Sequence, residues 1–195
     1  MGRFKEAVGY FQEALRIHRE AADRYGEAWA LHDLGGSYIG LRRFDETTDC
    51  LQQALRIHRE TGDSRGEAWA LGYLAIAYWE LGRLKESSDY AKQALVMARE
   101  AGHRYIESYI LRGLGVVHAE LRRFEEASAY FRQALAIHRE TGDRYGEAWG
   151  LYHFSFVLQH SQGRDAARNC LQEALAIFTE LGAPEAHDVR ALLEE

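Results

Sequence analysis

The segment Ile57-His58-Arg59-Glu60-Thr61-Gly62-Asp63 reappears unchanged as Ile137-His138-Arg139-Glu140-Thr141-Gly142-Asp143. The two copies are 80 residues apart, twice a period of 40 that runs through the chain. Gly26-Glu27-Ala28-Trp29 returns as Gly66-Glu67-Ala68-Trp69 and Gly146-Glu147-Ala148-Trp149, and the intervening copy reads Ile106-Glu107-Ser108-Tyr109. Arg3-Phe4, Arg43-Phe44, Arg83-Leu84 and Arg123-Phe124 mark the same period at another phase. A repeat of this length is one small unit that cannot bury its apolar face alone, so neighbouring copies must stack.

Each period holds two stretches with helical spacing. Ala28, Leu31, Leu34, Gly35 and Tyr38 recur at intervals of three and four, and so do Phe44, Leu51, Ala54, Leu55 and Ile57. The alternation of a half-buried strand is absent. Punctuation agrees with the stripes: Thr61-Gly62-Asp63 supplies a glycine for a helix end, and Asp23, Asp63 and Asp143 can each cap the next helix. Ser64 is a second cap candidate, since Ser64 and Glu67 have capping-box spacing. Turns within pairs fall near Gly40 to Arg43, Gly82-Arg83 and Arg122-Arg123, short enough to make neighbouring helices antiparallel. The pattern predicts ten helices: 3–21, 24–40, 44–61, 64–81, 84–101, 104–121, 124–141, 144–161, 164–181 and 184–194. Pro184, the only proline, suits the first turn of the last. The expected fold is all-α: a right-handed superhelical solenoid of antiparallel helix pairs.

A 40-residue period is also compatible with HEAT or armadillo repeats. The small residues decide between them. Against the order large apolar, Leu-Gly, Tyr, Ala, aromatic, Ala stand Leu31, Leu34-Gly35, Tyr38, Thr47, Leu51 and Ala54 in one copy and Leu111, Leu114-Gly115, His118, Ala127, Phe131 and Ala134 in another. This order resembles the tetratricopeptide repeat (TPR), in which Gly and Ala mark where the two helices of a pair approach closely. Gly35 and Ala54 are therefore expected at such a contact. The chain departs from the usual pattern in its longer period and in having no proline between repeats. Its tryptophans, Trp29, Trp69 and Trp149, also stand two residues early. Long-period arrays of kinesin light chains share these features. The phrase around Ile137 to Leu151 resembles the arrays of bacterial signal-transduction ATPases and antibiotic regulatory proteins. The resemblance implies one array: a partial repeat 1–22, repeats 23–62, 63–102, 103–142 and 143–182, and a terminal helix 183–195. Beginning and ending in mid-pair suggests a piece of a longer array.

In that family the first helix of each pair lines a concave groove. The matching positions here give an outer row of Trp29, Trp69, Tyr109 and Trp149, which either face the groove or pack between repeats. Deeper rows hold His32, Gly72, Arg112 and Tyr152, then Gly36, Ile76, Val116 and Phe156, then Ile39, Trp79, Ala119 and Gln159, with Tyr73 and His153 beside them. A residue needed for stacking recurs in every copy, so positions that vary are the better binding candidates. Tyr73, Ile76, Trp79, Arg112, Val116, Tyr152 and Phe156 are the expected partner-binding set, mostly apolar with one charge. Such a surface suits an amphipathic helix or extended peptide. The asparagine position of TPR domains that clamp a peptide C-terminus is filled by Gly36, Ile76, Val116 and Phe156, which argues against that chaperone-type activity.

Other chemistry is poorly supplied. His18, His58 and His138 form a row, but stacked helices hold equivalent side chains ~8–10 Å apart, too far for one metal ion. Gly113-Leu114-Gly115 lies within a helical stretch and follows no strand, so it is not a dinucleotide loop. Cys50 and Cys170 share a repeat position with Tyr10, Tyr90 and Tyr130 and read as packing residues. No acid, base and nucleophile converge, so the chain is not expected to be an enzyme, and no cofactor or metal is expected. Net charge is −6 without a basic stripe, which disfavours nucleic acid. No apolar run approaches a membrane span, and two distant cysteines suit a reducing cytoplasm. The sequence therefore points to a cytoplasmic scaffold for a protein or peptide, the interaction portion of a bacterial regulator. Two alternatives are a sensor of signalling peptides or small molecules, and a self-assembling module. Helices 3–21 and 184–194 lack a stacking neighbour, so Phe4, Phe11, Val189 and Leu192 are expected to be exposed, or covered by a second copy.

Overall fold

A computed structural model describes residues 2–194. The described residues form ten α-helices and no strand: α1 (Gly2–Glu20), α2 (Arg24–Gly40), α3 (Phe44–Thr61), α4 (Ser64–Glu80), α5 (Leu84–Glu100), α6 (Arg104–Glu120), α7 (Phe124–Thr141), α8 (Arg144–Ser161), α9 (Arg164–Glu180) and α10 (Glu185–Glu194). Each end lies within one residue of its expected position. The chain divides into two compact units, Met1–His103 with α1 to α5 and Arg104–Glu195 with α6 to α10.

Local chemistry fixes the helix ends. The carboxylates of Asp23, Asp63 and Asp143 accept the backbone N–H of Gly26, Gly66 and Gly146, each at 2.9 Å, satisfying a donor that the first helical turn leaves open. Ser64 does not cap: it is the first residue inside α4, and Asp63 holds the N-cap. Aspartate wins because its carboxylate is the stronger acceptor and carries the negative charge that a helix N-terminus favours. Gly62 and Gly142 close their helices with φ of 71°, in the left-handed region where an added Cβ is unfavourable.

Within each unit the first helices of successive pairs touch, α2 against α4 and α6 against α8. Among the described residues no comparable contact joins α1 to α3, α3 to α5 or α7 to α9. The first helices thus form the tighter layer, and their free faces are the inner side of each unit. Packing within pairs is set by the small residues. A Cβ on Gly35 would sit 2.8 Å from the Leu51 side chain, and one on Gly115 would sit 2.8 Å from the Phe131 ring. Ala54 is fully buried in the same unit. The core of the first unit gathers Leu31, Leu34, Ala54 and Ile57, and that of the second gathers Phe131, Leu151, Phe154 and Phe178.

The terminal helices correct one expectation. Phe4 is 45% exposed, and its ring lies against the open edge of Gly40. Phe11 and Leu192 are only partly buried. Val189, however, is 1% exposed. α10 packs on α9, and Val189 enters the core formed by Ala174, Ile177 and Phe178. A terminal helix buries one face on the hairpin before it and leaves only the other uncovered.

Candidate functional site

The most repetitive residues turn out to be those that fasten helices together. In the first unit Arg19 and Arg24 both reach Glu27, at 3.0 and 2.6 Å, and Arg24 extends to Glu60. In the second, Arg139 and Arg144 reach Glu147, and Arg144 extends to Glu180. Burial pushes the Glu27 carboxyl up, but hydrogen bonds from Arg19 and Arg24 outweigh it and hold the group below the usual carboxylate range. His138 Nδ1 lies 3.0 Å from Asp143 Oδ2, and His58 Nδ1 lies 3.1 Å from Asp63 Oδ2. Both rings are fully buried, and burial pushes both imidazoles down against the pull of the aspartate. A neutral His138 ring donates Nδ1–H to the Asp143 carboxylate, whereas His58 only approaches Asp63 without a hydrogen bond. The repeated phrase therefore acts as a latch at the hairpin junctions where it occurs, built from arginine–glutamate pairs, aspartate caps and buried imidazoles.

The aromatic row belongs largely to the same packing. The Trp29 ring meets His58 edge-on at 5.2 Å, Tyr109 meets His138 at 5.8 Å, and Trp149 meets Phe178 at 5.8 Å. All are half-buried. Cys50 and Cys170 are shielded, and burial pushes the Cys50 thiol up to about 11, far from the thiolate that nucleophilic chemistry needs.

The varying residues lie differently. On α4 of the first unit, Tyr73 and Trp79 are half-buried and Ile76, between them, is 42% exposed. Tyr73 crosses to α2, where its ring meets His32 edge-on at 4.9 Å. The ring passes over Gly36, where a Cβ would be in ordinary contact with it at 3.4 Å. Burial, then the neighbouring His58, pushes His32 down to about 4.

In the second unit, Arg112 and Val116 are one turn apart on α6, and Tyr152, His153 and Phe156 stand on α8. Phe156 is 40% exposed, with the Tyr152 ring edge-on at 5.1 Å. Val116, His153 and Phe156 come together in the wall of a cavity of about 390 Å³, with Phe131 also lining it. Ala119, Phe124 and His160 complete much of that wall. The Phe124 and His160 rings stack at 5.0 Å. Phe124 and His160 were not among the expected site residues. The signal for His160 was available, since its equivalents are Gly40, Glu80 and Glu120 and the position varies like the others. Arg112 is half-buried with its guanidinium carbon 5.2 Å from the centre of the Tyr109 ring. Its Nε is shielded from solvent and has no hydrogen-bond partner.

Together, hairpins latched at their junctions and an inner layer carrying exposed apolar side chains define a helical-repeat scaffold. The tetratricopeptide repeat family model matches residues 32–100 and 105–180, and a second tetratricopeptide repeat model matches residues 1–24. The chain belongs to the tetratricopeptide repeat family. A search of curated protein sequences returned no match. Among solved structures, the fold is similar to that of a putative kinesin light chain from Podosopora anserina, at 18% identity over 93% of this chain and 89% of that one, with a TM-score of 0.70. Aspartyl phosphate phosphatase F from Bacillus subtilis is similar at 17% identity, over 95% of this chain and 50% of that one, with a TM-score of 0.83. The Rap conjugation gene regulator of plasmid pLS20, solved in complex with the Phr* peptide, is similar at 18% identity, over 99% of this chain and 53% of that one, with a TM-score of 0.82. The chain spans about half the length of these last two proteins. At these identities the likeness is one of fold.

Proposed function

We propose that the inner helices of each unit hold a peptide or protein segment, with Tyr73, Ile76 and Trp79 making the contacts in the first unit and Arg112, Val116, Tyr152 and Phe156 in the second. The observation that carries this reading is the exposure of Ile76 and Phe156 on the inner layer, each flanked by half-buried aromatic rings. Apolar groups clustered with aromatic rings and one arginine are what interface anchors tend to be. Their identities change from repeat to repeat, so stacking does not require them. The fold-level likeness to a Rap regulator crystallised with a peptide supports a peptide as the occupant. The same fold-level likeness supports a role as the interaction portion of a bacterial regulator, for which a cytoplasmic setting is the fitting one. No helix among the described residues is long and apolar enough to cross a membrane. The cavity of about 390 Å³ in the second unit favours a second reading, a sensor that admits a small molecule there.

The test is selection of peptides from a random display library on the immobilised chain, followed by affinity measurement on variants. Trp79→Ala and Phe156→Ala should each weaken selected peptides by ~1–3 kcal/mol with helicity unchanged. Arg132→Glu, at an exposed position on α7, should leave binding intact. Equal losses in all three variants, or loss only in the control, would place the binding surface elsewhere.

A further inference from the structure

Arg112 lies over the Tyr109 ring, but the fold gives its charge no carboxylate partner. The other arginines near the hairpin junctions, such as Arg139 and Arg144, end on carboxylates. Arg112 does not: among the described residues no carboxylate bonds to its guanidinium, and its buried Nε–H is unsatisfied. Asp143 exerts an attraction on it from a distance, but both oxygens of Asp143 are already engaged, one by His138 and one by the Gly146 N–H. The remaining polar groups around Arg112 are Tyr105, Tyr109, Tyr145, His138 and His153. None of the five supplies a counter-charge at neutral pH. A shielded N–H without a partner costs free energy, and the Nε–H of the half-buried Arg112 is such a group.

The surroundings of Arg112 indicate what would complete it. Four residues along α6 is Val116, which lines the cavity together with Phe131, Phe156 and Val157, and with the charged Glu120 and Arg122. Four helical residues span ~6 Å. Side chains two apart on one edge of an extended peptide are ~6.6 Å apart. The geometry points to a carboxylate site: we infer that Arg112 receives the side-chain carboxylate of an Asp or Glu in an extended peptide, while an apolar side chain two residues away enters the cavity beside Val116, His153 and Phe156. This deepens the peptide-binding reading and rests on it. Arg112 stands mid-way along α6, at the ninth of its 17 residues, so an interior residue of a bound segment is the natural occupant and not its free end. A charge-assisted hydrogen bond in a shielded site is worth more than ten-fold in affinity.

Three blocked tripeptides provide the probes: acetyl-Glu-Ala-Phe-amide, acetyl-Gln-Ala-Phe-amide and acetyl-Gln-Ala-Phe with a free C-terminus. Binding is followed in the full chain by the NMR signal of the Arg112 Nε–H, assigned by its loss in Arg112→Gln, and by Trp149 fluorescence in the variant. The glutamate probe should shift that signal saturably, and the two glutamine probes should bind at least ten-fold more weakly. In Arg112→Gln the advantage of glutamate should vanish. The melting temperature of Arg112→Gln should hold or rise, whereas an arginine with a structural role would lower it on removal. Equal binding of the glutamate and glutamine amides would overturn the carboxylate site and leave the peptide-binding reading standing. Recovery of tight binding by the free C-terminus alone would overturn the side-chain assignment. No saturable shift by the glutamate probe at tens of millimolar, roughly the weakest useful affinity, would also sink the inference, independently of the library selection.

Discussion

At the scale of single residues, the clearest result is why glycine opens the Gly-Glu-Ala-Trp phrase. A Cβ on Gly66 would fall 2.1 Å from His58 Nδ1, and one on Gly146 would fall 2.4 Å from the His138 ring. The buried imidazole occupies the volume that a side chain would need. In the copy where the phrase has drifted, the equivalent positions hold Ala98 and Ile106, small where histidine stood and large where glycine stood. The exchange conserves volume, which cores tolerate better than one-sided change. Gly66→Ile should therefore cost ~1–3 kcal/mol on its own. Adding His58→Ala should recover a good part of that loss. A urea-unfolding double-mutant cycle measures the coupling, and simple additivity of the two losses would show that the positions do not share space. The repeat of both residues was plain in the sequence, but their mutual dependence was not. Positions eight apart on either side of a turn have no contact that periodicity can reveal.

Among the helices, the ends were the most legible part, because each is written in local chemistry. Aspartate caps and glycine closures act over three or four residues and need no tertiary partner. Three closures, however, use a residue that resists the left-handed region: Ala22 at φ 53°, Arg42 at 57° and Arg122 at 60°. Glycine occupies the equivalent of Ala22 at Gly62, Gly102, Gly142 and Gly182, all with positive φ. Left-handed backbone costs a residue with a Cβ ~1–2 kcal/mol, and glycine returns part of that by loosening the unfolded chain. Ala22→Gly should raise stability by ~0.5–1 kcal/mol, seen as a higher melting temperature. Gly62→Ala should lower it by about 1 kcal/mol. A lower melting temperature for Ala22→Gly would mean that the α1 closure is not strained. The helix that defied expectation was α10: only packing showed which of its faces the α9 hairpin takes, and Val189 fell on that face.

For the molecule as a whole, buried imidazoles make stability depend on pH in a range where carboxylates are still ionised. Burial holds His32 and His153 down at about 4 against an ordinary value of 6.5, and pushes His58 and His138 down as well. The unfolded chain takes up these protons first, so stability is full above pH 6.5 and is lost as pH falls toward 4. Each of the two most shifted rings should cost on the order of 2 kcal/mol by pH 4.5. Chemical denaturation at pH 7.5 and 4.5 should show the drop, and His153→Phe, whose ring can still stack on Trp149, should make it shallower. An unchanged slope in that variant would mean that His153 is not a neutral buried ring. The sequence alone determined that this chain is a stack of TPR hairpins with defined ends, because a 40-residue period, helical spacing and caps are local and repeat. It also nominated the inner-layer residues, by asking which positions stacking leaves free to vary. Which of those stay exposed, which fall into the cavity of the second unit, and that Arg112 is left without a counter-charge, only the tertiary structure decided. Exposure and pairing depend on side chains brought together from helices 40 residues apart, and each such meeting is set by packing that no single repeat contains.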